Sequence, residues 1–287
     1  MAWYGEPHRT RVHKVYDRLG KTKPNSNSKY SDPVQGQIQR PIIGAKAITM
    51  KKNLIWIRSW IYLFTFLTWT AAIPVVCLPA LIKKEWALAV TRFWVRGVMT
   101  LAKYIVGVHA TTTGQQNLPQ GACIIAAQHQ SSYETYRMFL ELESPIFILK
   151  RELVFIPLIG WFMKRIGLIG IDRNAGAGAM RKILREAQAA LDSGNQLVIF
   201  PEGTRTAPGI KHPYQPGVAA LYAYCDAPVI PMALNSGFLW GKTRLLKLPG
   251  TIEFRFLPPL RSGMDKDTML KDLRKHLDSA AEALGQV

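Results

Sequence analysis

A histidine and a carboxylate lie close together in AAQHQSSYETYRMF, the stretch from Ala126 to Phe139. Four residues separate His129 from Glu134. A histidine with a pKa near 6.5 can take the proton of an alcohol at neutral pH, and a carboxylate on its other ring nitrogen fixes the tautomer and stabilises the imidazolium. The same letters fit the start of a helix, because Ser131 and Glu134 match the S-x-x-E capping box. The two interpretations are both open, and they are compatible.

A second group of residues that could do chemistry forms the hexapeptide FPEGTR, Phe200 to Arg205. Pro201 cannot donate to a sheet ladder, so a strand should stop there, and Gly203 permits a turn that other residues resist. The turn would present Glu202 and Arg205 together, and the planar fork of arginine matches phosphate oxygens. The alternative is a turn held by a local Glu–Arg pair.

The charge of the chain indicates an anionic partner. Its 287 residues, 48% of them hydrophobic, include 37 Lys and Arg against 19 Asp and Glu, a formal net charge of +18. Nucleic acid, an acidic membrane surface and a phosphorylated substrate all fit this balance. The three cysteines, Cys77, Cys123 and Cys225, form no CxxC motif, so neither a zinc site nor a disulfide framework is indicated, and a reducing compartment is expected.

Alternating strands and helices are expected from about Gly107 onward. One helix is predicted over Ala177–Leu191, where apolar residues recur at helical spacing. Apolar runs of strand character are Cys123–Gln128, Pro145–Lys150, Gly167–Asp172, Gln196–Pro201, Pro228–Leu234 and Thr251–Leu257. Strands buried on both faces predict an α/β domain over residues 107–287, with a mixed, mostly parallel sheet flanked by helices. Functional groups should gather at the carboxyl edge of this sheet.

Residues 50–106 are predicted to form two membrane-associated helices. No charged residue lies between Ser59 and Ile82, a stretch long enough to cross about 30 Å of hydrocarbon. Pro74 and Pro79 should interrupt the helix, and lysines at both ends give no charge asymmetry. A span, a re-entrant helix with both ends in the cytoplasm and a cleaved signal peptide are therefore all open.

The second predicted helix and the first residues of the chain differ in character. Glu85–Val106 should be an aromatic-rich helix with a narrow charged stripe, suited either to the headgroup boundary or to packing on a core. Residues 1–49 lack apolar periodicity, so a disordered basic extension is expected there, with Met50 resembling a translation start.

Four short motifs resemble a known family. HQSSYE, GLIGIDR, FPEGTR and APVIP occur in the order and at the approximate spacing of the four motif blocks of the glycerolipid acyltransferases. The match runs from about Leu54 to Leu260 and is closest to the 1-acylglycerol-3-phosphate (lysophosphatidate) acyltransferases. Most members have aspartate where this chain has Glu134, and many carry lysines where Gln215 and Pro216 stand, so that Lys211 is the nearby charge.

The resemblance implies a reaction and a set of roles. An acyl group would pass from acyl-CoA or acyl carrier protein to the free hydroxyl of lysophosphatidate, giving phosphatidate, with His129 as general base and Glu134 as its orienting partner. The transfer would be direct, since the chain has no G-x-S-x-G elbow and Ser131 and Ser132 read as helix caps. The substrate-binding residues implied are Lys150, Arg173 and Arg205 for the phosphate, and Glu202, Gly203 and Thr204 at the turn that holds the glycerol part.

The resemblance also implies the surroundings of the enzyme. No metal and no cofactor beyond the thioester co-substrate is expected. Anionic membrane lipids are the expected partners, nucleic acid is not, and the active site should face the cytoplasm. Other acceptors, namely glycerol 3-phosphate or a lyso-aminolipid, share these motifs. A basic protein that only binds membranes or nucleic acid is the non-enzyme alternative, but it gives no reason for His129 or for the FPEGTR turn.

Overall fold

The computed structural model describes residues 52–171, 176–241 and 245–285, and the expected basic extension over 1–49 lies outside them. Seven strands form one sheet in the order β1-β7-β6-β2-β5-β3-β4, in which the β6–β7 pair is antiparallel and the other pairs are parallel. The mixed, mostly parallel sheet predicted from the sequence is confirmed. The strands are β1 (Val108–Thr113), β2 (Cys123–Ala127), β3 (Pro145–Lys150), β4 (Ile169–Ile171), β5 (Gln196–Ile199), β6 (Val229–Leu234) and β7 (Gly250–Phe256).

Helices cover both faces of this sheet. The α-helices are α1 (Lys52–Val76), α2 (Lys84–Leu101), α3 (Tyr133–Glu141), α4 (Ile159–Arg165), α5 (Gly176–Asp192), α6 (Pro216–Tyr224), α7 (Ser236–Leu239) and α8 (Lys266–Ala283). Alternate residues of a strand point to opposite faces, and β2 shows this directly. Ile125 packs in a core shared with α1, α2 and α3, whereas Ile124 packs in a core shared with α5, α6 and α8. Both side chains are fully buried, which explains the continuous apolar run of β2.

Helix α1 is long and apolar enough to cross a membrane over Asn53–Val76. Its outward side chains include Phe64, 72% exposed, and Trp60, 55% exposed. The expected interruption at Pro74 is wrong in position, because Pro74 lies in the last turn and the helix ends two residues later. Pro79 lies at the start of the 3₁₀ turn Leu78–Ile82 that follows, where a missing backbone N–H leaves no helical hydrogen bond unmade.

Helices α1 and α2 pack closely against each other at a glycine. A Cβ atom at Gly97 would lie 2.3 Å from the indole of Trp69, so no larger residue fits between the two helices there. The Trp69 indole N–H donates to the carbonyl of Trp94 at 3.0 Å, and the Trp94 indole N–H donates to Thr70 Oγ1 at 3.1 Å. The pair therefore forms a hairpin held by small-residue contact and reciprocal indole hydrogen bonds.

The charged stripe expected on α2 divides between two surroundings. Arg92 faces the sheet domain, where its guanidinium donates to the carbonyls of Phe139 at 3.1 Å and Leu142 at 2.9 Å, at the end of α3. Arg96, one turn further on, is exposed. One residue of the stripe therefore contacts the sheet domain, and another is exposed. Helix α2 continues through one π turn, Ala102–Val106, into β1.

Candidate active site

The carboxyl ends of two neighbouring strands carry the candidate catalytic residues. Strands β2 and β5 run in parallel with Ala126 opposite Ile199, so the segments that follow them meet at the same edge of the sheet. The ring of His129 stacks on Phe200, with centroids 3.9 Å apart and an interplanar angle of 18°. The amide of Thr206 donates to the carbonyl of His129 at 2.7 Å. His129 and the FPEGTR segment therefore form one structural unit.

His129 and Glu134 form the pair that the sequence predicted. His129 Nδ1 lies 3.0 Å from Glu134 Oε1. The same oxygen accepts hydrogen bonds from the amides of Gln130 at 2.8 Å and Ser131 at 2.6 Å. Glutamate thus reaches the imidazole from the first turn of α3.

The second carboxylate oxygen of Glu134 is held by two hydroxyls. Ser131 Oγ donates to Oε2, and Ser236 Oγ donates to it at 2.7 Å. The Glu134 side chain is fully buried. Burial raises the pKa of this carboxyl, but the hydrogen bond and charge of His129 together with the hydroxyl and amide of Ser131 outweigh it, so the pKa lies below its usual range. Glu134 is therefore ionised at neutral pH.

An ionised carboxylate at Nδ1 decides how the imidazole can act. A carboxylate only accepts hydrogen bonds, so Nδ1 carries the ring proton and Nε2 holds the lone pair. The His129 side chain is 19% exposed, which leaves room for a substrate at the ring. An imidazole held in this way can accept a proton at Nε2, and the buried carboxylate would stabilise the imidazolium that results.

The capping interpretation of the same residues is also correct in part. Glu134 reaches back to the Ser131 amide, and Ser131 Oγ accepts from the amide of Tyr133 at 3.0 Å. Ser132 holds the N-cap position by its backbone, but its side chain makes no capping hydrogen bond. Its hydroxyl accepts from the indole N–H of Trp240 at 3.2 Å instead, so the expectation that Ser132 is a cap is wrong for the side chain.

Two residues that the sequence analysis did not single out support the pair. Gln130 spans from the catalytic turn to the end of β6: its Nε2 donates to the Leu234 carbonyl at 3.0 Å and its Oε1 accepts from the Gly237 amide at 2.9 Å. Ser236 comes from α7, about a hundred positions after Glu134. No local pattern marks either residue, and only their position after strand β2 or strand β6 could have suggested them.

Glu202 is buried beside His129 and differs from Glu134 in protonation. Burial raises the pKa of Glu202 to about 8, against the opposing effect of hydrogen bonds from its own amide and that of His129. Its Oε2 is buried with no hydrogen-bond partner among the residues that the structure describes. The carboxyl is therefore mostly neutral at pH 7 and can donate a hydrogen bond as well as accept one.

The charge of Arg205 acts on two residues outside the FPEGTR turn. Its positive charge acts on Tyr136 of α3 and on Lys247, where it contributes to lowering the pKa of the lysine. Within the described part of the chain, the orphaned Glu202 oxygen gives no support to the alternative of a local Glu–Arg pair holding the turn.

The turn between Glu202 and Arg205 requires glycine, as the sequence indicated. Gly203 has a φ of 64°, and a Cβ atom there would lie 2.7 Å from Cγ of Gln215. The Gln215 amide in turn donates to the Pro201 carbonyl at 2.7 Å. Thr204 follows Gly203 in the same turn and is partly buried.

The remaining predicted site residues lie along the same edge or outside the described chain. Lys150 is exposed at the carboxyl end of β3, the strand next to β5. Arg173 lies outside the described residues, two positions after the end of β4. The structure thus brings His129, Glu134, Glu202 and Arg205 to one edge of the sheet, and the roles of all the predicted site residues, Lys150 and Arg173 included, stay predictions.

Comparison with known proteins finds that the chain resembles acyltransferases. The family described as Acyltransferase matches residues 109–235. The 1-acyl-sn-glycerol-3-phosphate acyltransferase of Pseudomonas aeruginosa is 29% identical over 199 residues, covering 69% of this chain and 77% of that protein. The 1-acyl-sn-glycerol-3-phosphate acyltransferase alpha of Mus musculus is 30% identical over 182 residues. The match covers 61% of this chain and 64% of the mouse protein, so the chain spans less than two thirds of that relative.

A solved structure shares the fold. The crystal structure of the 1-acyl-sn-glycerophosphate (LPA) acyltransferase from Thermotoga maritima matches with a TM-score of 0.63 at 17% identity, covering 81% of this chain and 96% of that one. The family match over residues 109–235 and the two relatives show that the chain is similar to the 1-acyl-sn-glycerol-3-phosphate acyltransferases, and the solved structure shows that it shares their fold.

Proposed function

We propose that this enzyme transfers an acyl group from a thioester donor, acyl-CoA or acyl carrier protein, to the free hydroxyl of 1-acylglycerol 3-phosphate, giving phosphatidate. The observation that carries the proposal is the His129–Glu134 pair, with its carboxylate fully buried and held by backbone and hydroxyl donors, next to the FPEGTR turn. The relatives named for this activity support the choice of acceptor.

The chemistry proposed is direct transfer with His129 as general base. Nε2 takes the proton of the acceptor hydroxyl while the oxygen bonds to the thioester carbonyl carbon. The carbon–sulfur bond then breaks, and the imidazolium returns the proton to the departing thiolate. Glu134 stabilises the imidazolium between these two proton transfers. Histidine ends neutral, and the products are phosphatidate and a free thiol.

Nearby serines support direct transfer over an acyl-enzyme. The hydroxyls of Ser131 and Ser236 are both used on Glu134 Oε2, and their oxygens lie 2.8 Å from each other. A serine nucleophile would instead have to donate its proton to the base. Glu202, neutral at pH 7, suits a hydrogen bond to the glycerol part of the acceptor.

The candidate span in α1 supports membrane association, which fits a lipid acceptor. We infer that residues 50–106 dock the enzyme on the membrane and that the active site faces the cytoplasm, where the thioester donors are made. The excess of basic residues favours a surface rich in anionic lipids.

An acceptor and donor panel tests the proposal. The purified enzyme in lipid vesicles is assayed with 1-acylglycerol 3-phosphate, glycerol 3-phosphate and a lyso-aminolipid, each with acyl-CoA and with acyl carrier protein as the donor. We expect the largest kcat/KM for 1-acylglycerol 3-phosphate. A larger value for another acceptor would replace the proposed substrate, and the donor comparison decides between the two carriers.

A further inference from the structure

A cavity of about 170 Å³ lies between α1 and α3, next to the catalytic turn. Tyr62 lines it from α1, and Ser132 and Tyr136 line it from α3, close in the chain to His129. Lys247, from the segment before β7, also contributes to its wall. The cavity therefore combines apolar and aromatic surface with one lysine beside the site of acyl transfer.

Lys247 is held in place from two sides. Its amide donates to Ser59 Oγ on α1 at 3.0 Å. Its Nζ lies 4.7 Å from the ring centroid of Trp240, and the Trp240 indole donates to Ser132 Oγ. Contact with α1 and with the start of α3 fixes the lysine relative to the catalytic pair.

A second cation, Arg205, interacts electrostatically with Lys247. Burial, and then the charge of Arg205, lower the pKa of Lys247 to about 8. The charge of Arg205 also acts on Tyr136 of α3. Tyr62 lines the cavity from α1. Two cations that disfavour each other in a partly buried place would be stabilised by a bound dianion, and a phosphate monoester carries such a charge near neutral pH.

Two other lysines among the described residues have a different setting. Lys211 is 81% exposed and Lys182 is 67% exposed, each in a surface ion pair. Lys247 is only partly exposed, although a buried ammonium loses hydration. The hydroxyl of Tyr62, a residue that lines the same cavity, is buried without a hydrogen-bond partner among the described residues.

We propose that Lys247 binds the phosphate of the acceptor together with Arg205, and so selects phosphorylated lysolipids over neutral ones. This inference rests on the proposed function, since it names how the same site recognises its acceptor. Arginine supplies paired donors and lysine a compact charge, which together surround a phosphate from two sides. Lys247 is absent from the phosphate-binding set suggested by the motifs.

Ligand binding to purified variants in detergent tests this without needing turnover. The enzyme, Lys247→Met, Lys247→Arg and the control Lys271→Met, an exposed lysine on α8, are titrated with 1-acylglycerol 3-phosphate and with 1-acylglycerol. We expect Lys247→Met to weaken binding of the phosphorylated lipid by about 10- to 100-fold, the usual effect of losing a charged hydrogen bond, while binding of 1-acylglycerol changes by less than about twofold. Lys247→Arg should recover part of the loss, and Lys271→Met should bind as the unchanged enzyme does.

Two outcomes overturn the inference. One is that Lys247→Met binds the phosphorylated lipid as tightly as the control. The other is that it loses both lipids equally, which indicates a structural role for the lysine. Failure of the proposed function gives a different result: the unchanged enzyme would prefer the phosphorylated lipid and lose that preference in Lys247→Met, yet transfer no acyl group to it.

Discussion

At the scale of single residues, Glu134 both orders the start of α3 and accepts a hydrogen bond from His129. Its Oε1 accepts from two backbone amides at the start of α3 and from His129, while its Oε2 accepts from two serines. The bonds that order the helix start are therefore the bonds that keep the carboxylate ionised. A residue in this position cannot be altered for catalysis without some effect on the turn.

Glu134→Gln should lower kcat strongly and change the free energy of unfolding little. The glutamine carbonyl can still accept from His129 and the two amides, and its NH₂ group can face Ser131 and Ser236, whose hydroxyls rotate to accept. The imidazolium then loses its counterion, so we expect kcat to fall by about 10²-fold or more. Steady-state kinetics and thermal melts of the purified variant check this, and a Glu134→Gln enzyme as active as the original would leave Glu134 with the capping role alone.

Glu202 gives a prediction about pH. Burial raises the pKa of Glu202 to about 8, whereas a glutamate in an unfolded chain has a pKa near 4.3. Between these values the folded state holds a proton that the unfolded chain has lost, so this group's contribution to stability is complete below about pH 4 and is lost as the pH rises through 8. Glutamine stays neutral and is free of this loss.

Glu202→Gln should therefore gain stability relative to the original enzyme as the pH rises from 5.5 to 8.5. We expect a relative change in the free energy of unfolding of about 1 kcal/mol or more over this range. Thermal melts in detergent at several pH values measure it, with Glu282→Gln, an exposed carboxylate on α8, as the matched control. A parallel pH dependence in all three proteins would contradict the neutral form of Glu202.

How far the sequence predicts the site depends on distance along the chain. The contact of His129 with Glu134 was predictable because a strand end and a helix start place them within one turn. The turn at Gly203 was predictable because proline and glycine restrict the backbone there. Ser236 and Lys247 were not, because they reach the site from segments about a hundred residues away, and only the packing of β6, β7 and α1 brings them in.

At the scale of elements, the α1–α2 hairpin is tied to the catalytic domain by specific contacts. Arg92 donates to carbonyls at the end of α3, where the helix dipole is negative. The other end of α3 carries Glu134. The same short helix thus connects the α1–α2 hairpin with the His129–Glu134 pair.

Arg92→Met should destabilise the enzyme by about 1–3 kcal/mol, since buried carbonyls lose a charged donor. Arg96→Met removes the same charge from an exposed position on the same helix and should change stability by less than about 0.5 kcal/mol. Thermal melts of the two variants side by side are the measurement. Equal effects would mean that the contact with α3 contributes nothing beyond net charge.

Elements with continuous apolar runs were predicted well, and β1 was missed. The predicted helix 177–191 is observed as Gly176–Asp192, and Pro145–Lys150 is observed with the predicted bounds. Strand β1, VHATTT, lies at the edge of the sheet with only Val108 buried, so its sequence has threonines where a central strand has aliphatic residues. Edge strands of this kind lack the pattern that burial imposes.

At the scale of the whole molecule, the candidate site lies at the carboxyl edge of one sheet, and a hairpin with a candidate span packs on one face of that sheet. The lipid acceptor, carried in the membrane, would reach His129 beside α1, and the thioester donor would arrive from water. The basic excess of the chain suits both partners, since phosphatidate, its precursor and the thioester carriers are all acidic.

Phosphatidate formation by the enzyme and by His129→Ala is the most direct test of His129 as the general base. Both are purified, reconstituted in the same vesicles and supplied with 1-acylglycerol 3-phosphate and an acyl thioester. We predict that the unchanged enzyme forms phosphatidate and that His129→Ala, with an unaltered melting curve and unaltered membrane binding, forms it about 10²- to 10⁴-fold more slowly. Phosphatidate formed by folded His129→Ala at the original rate would contradict the role of His129 as general base.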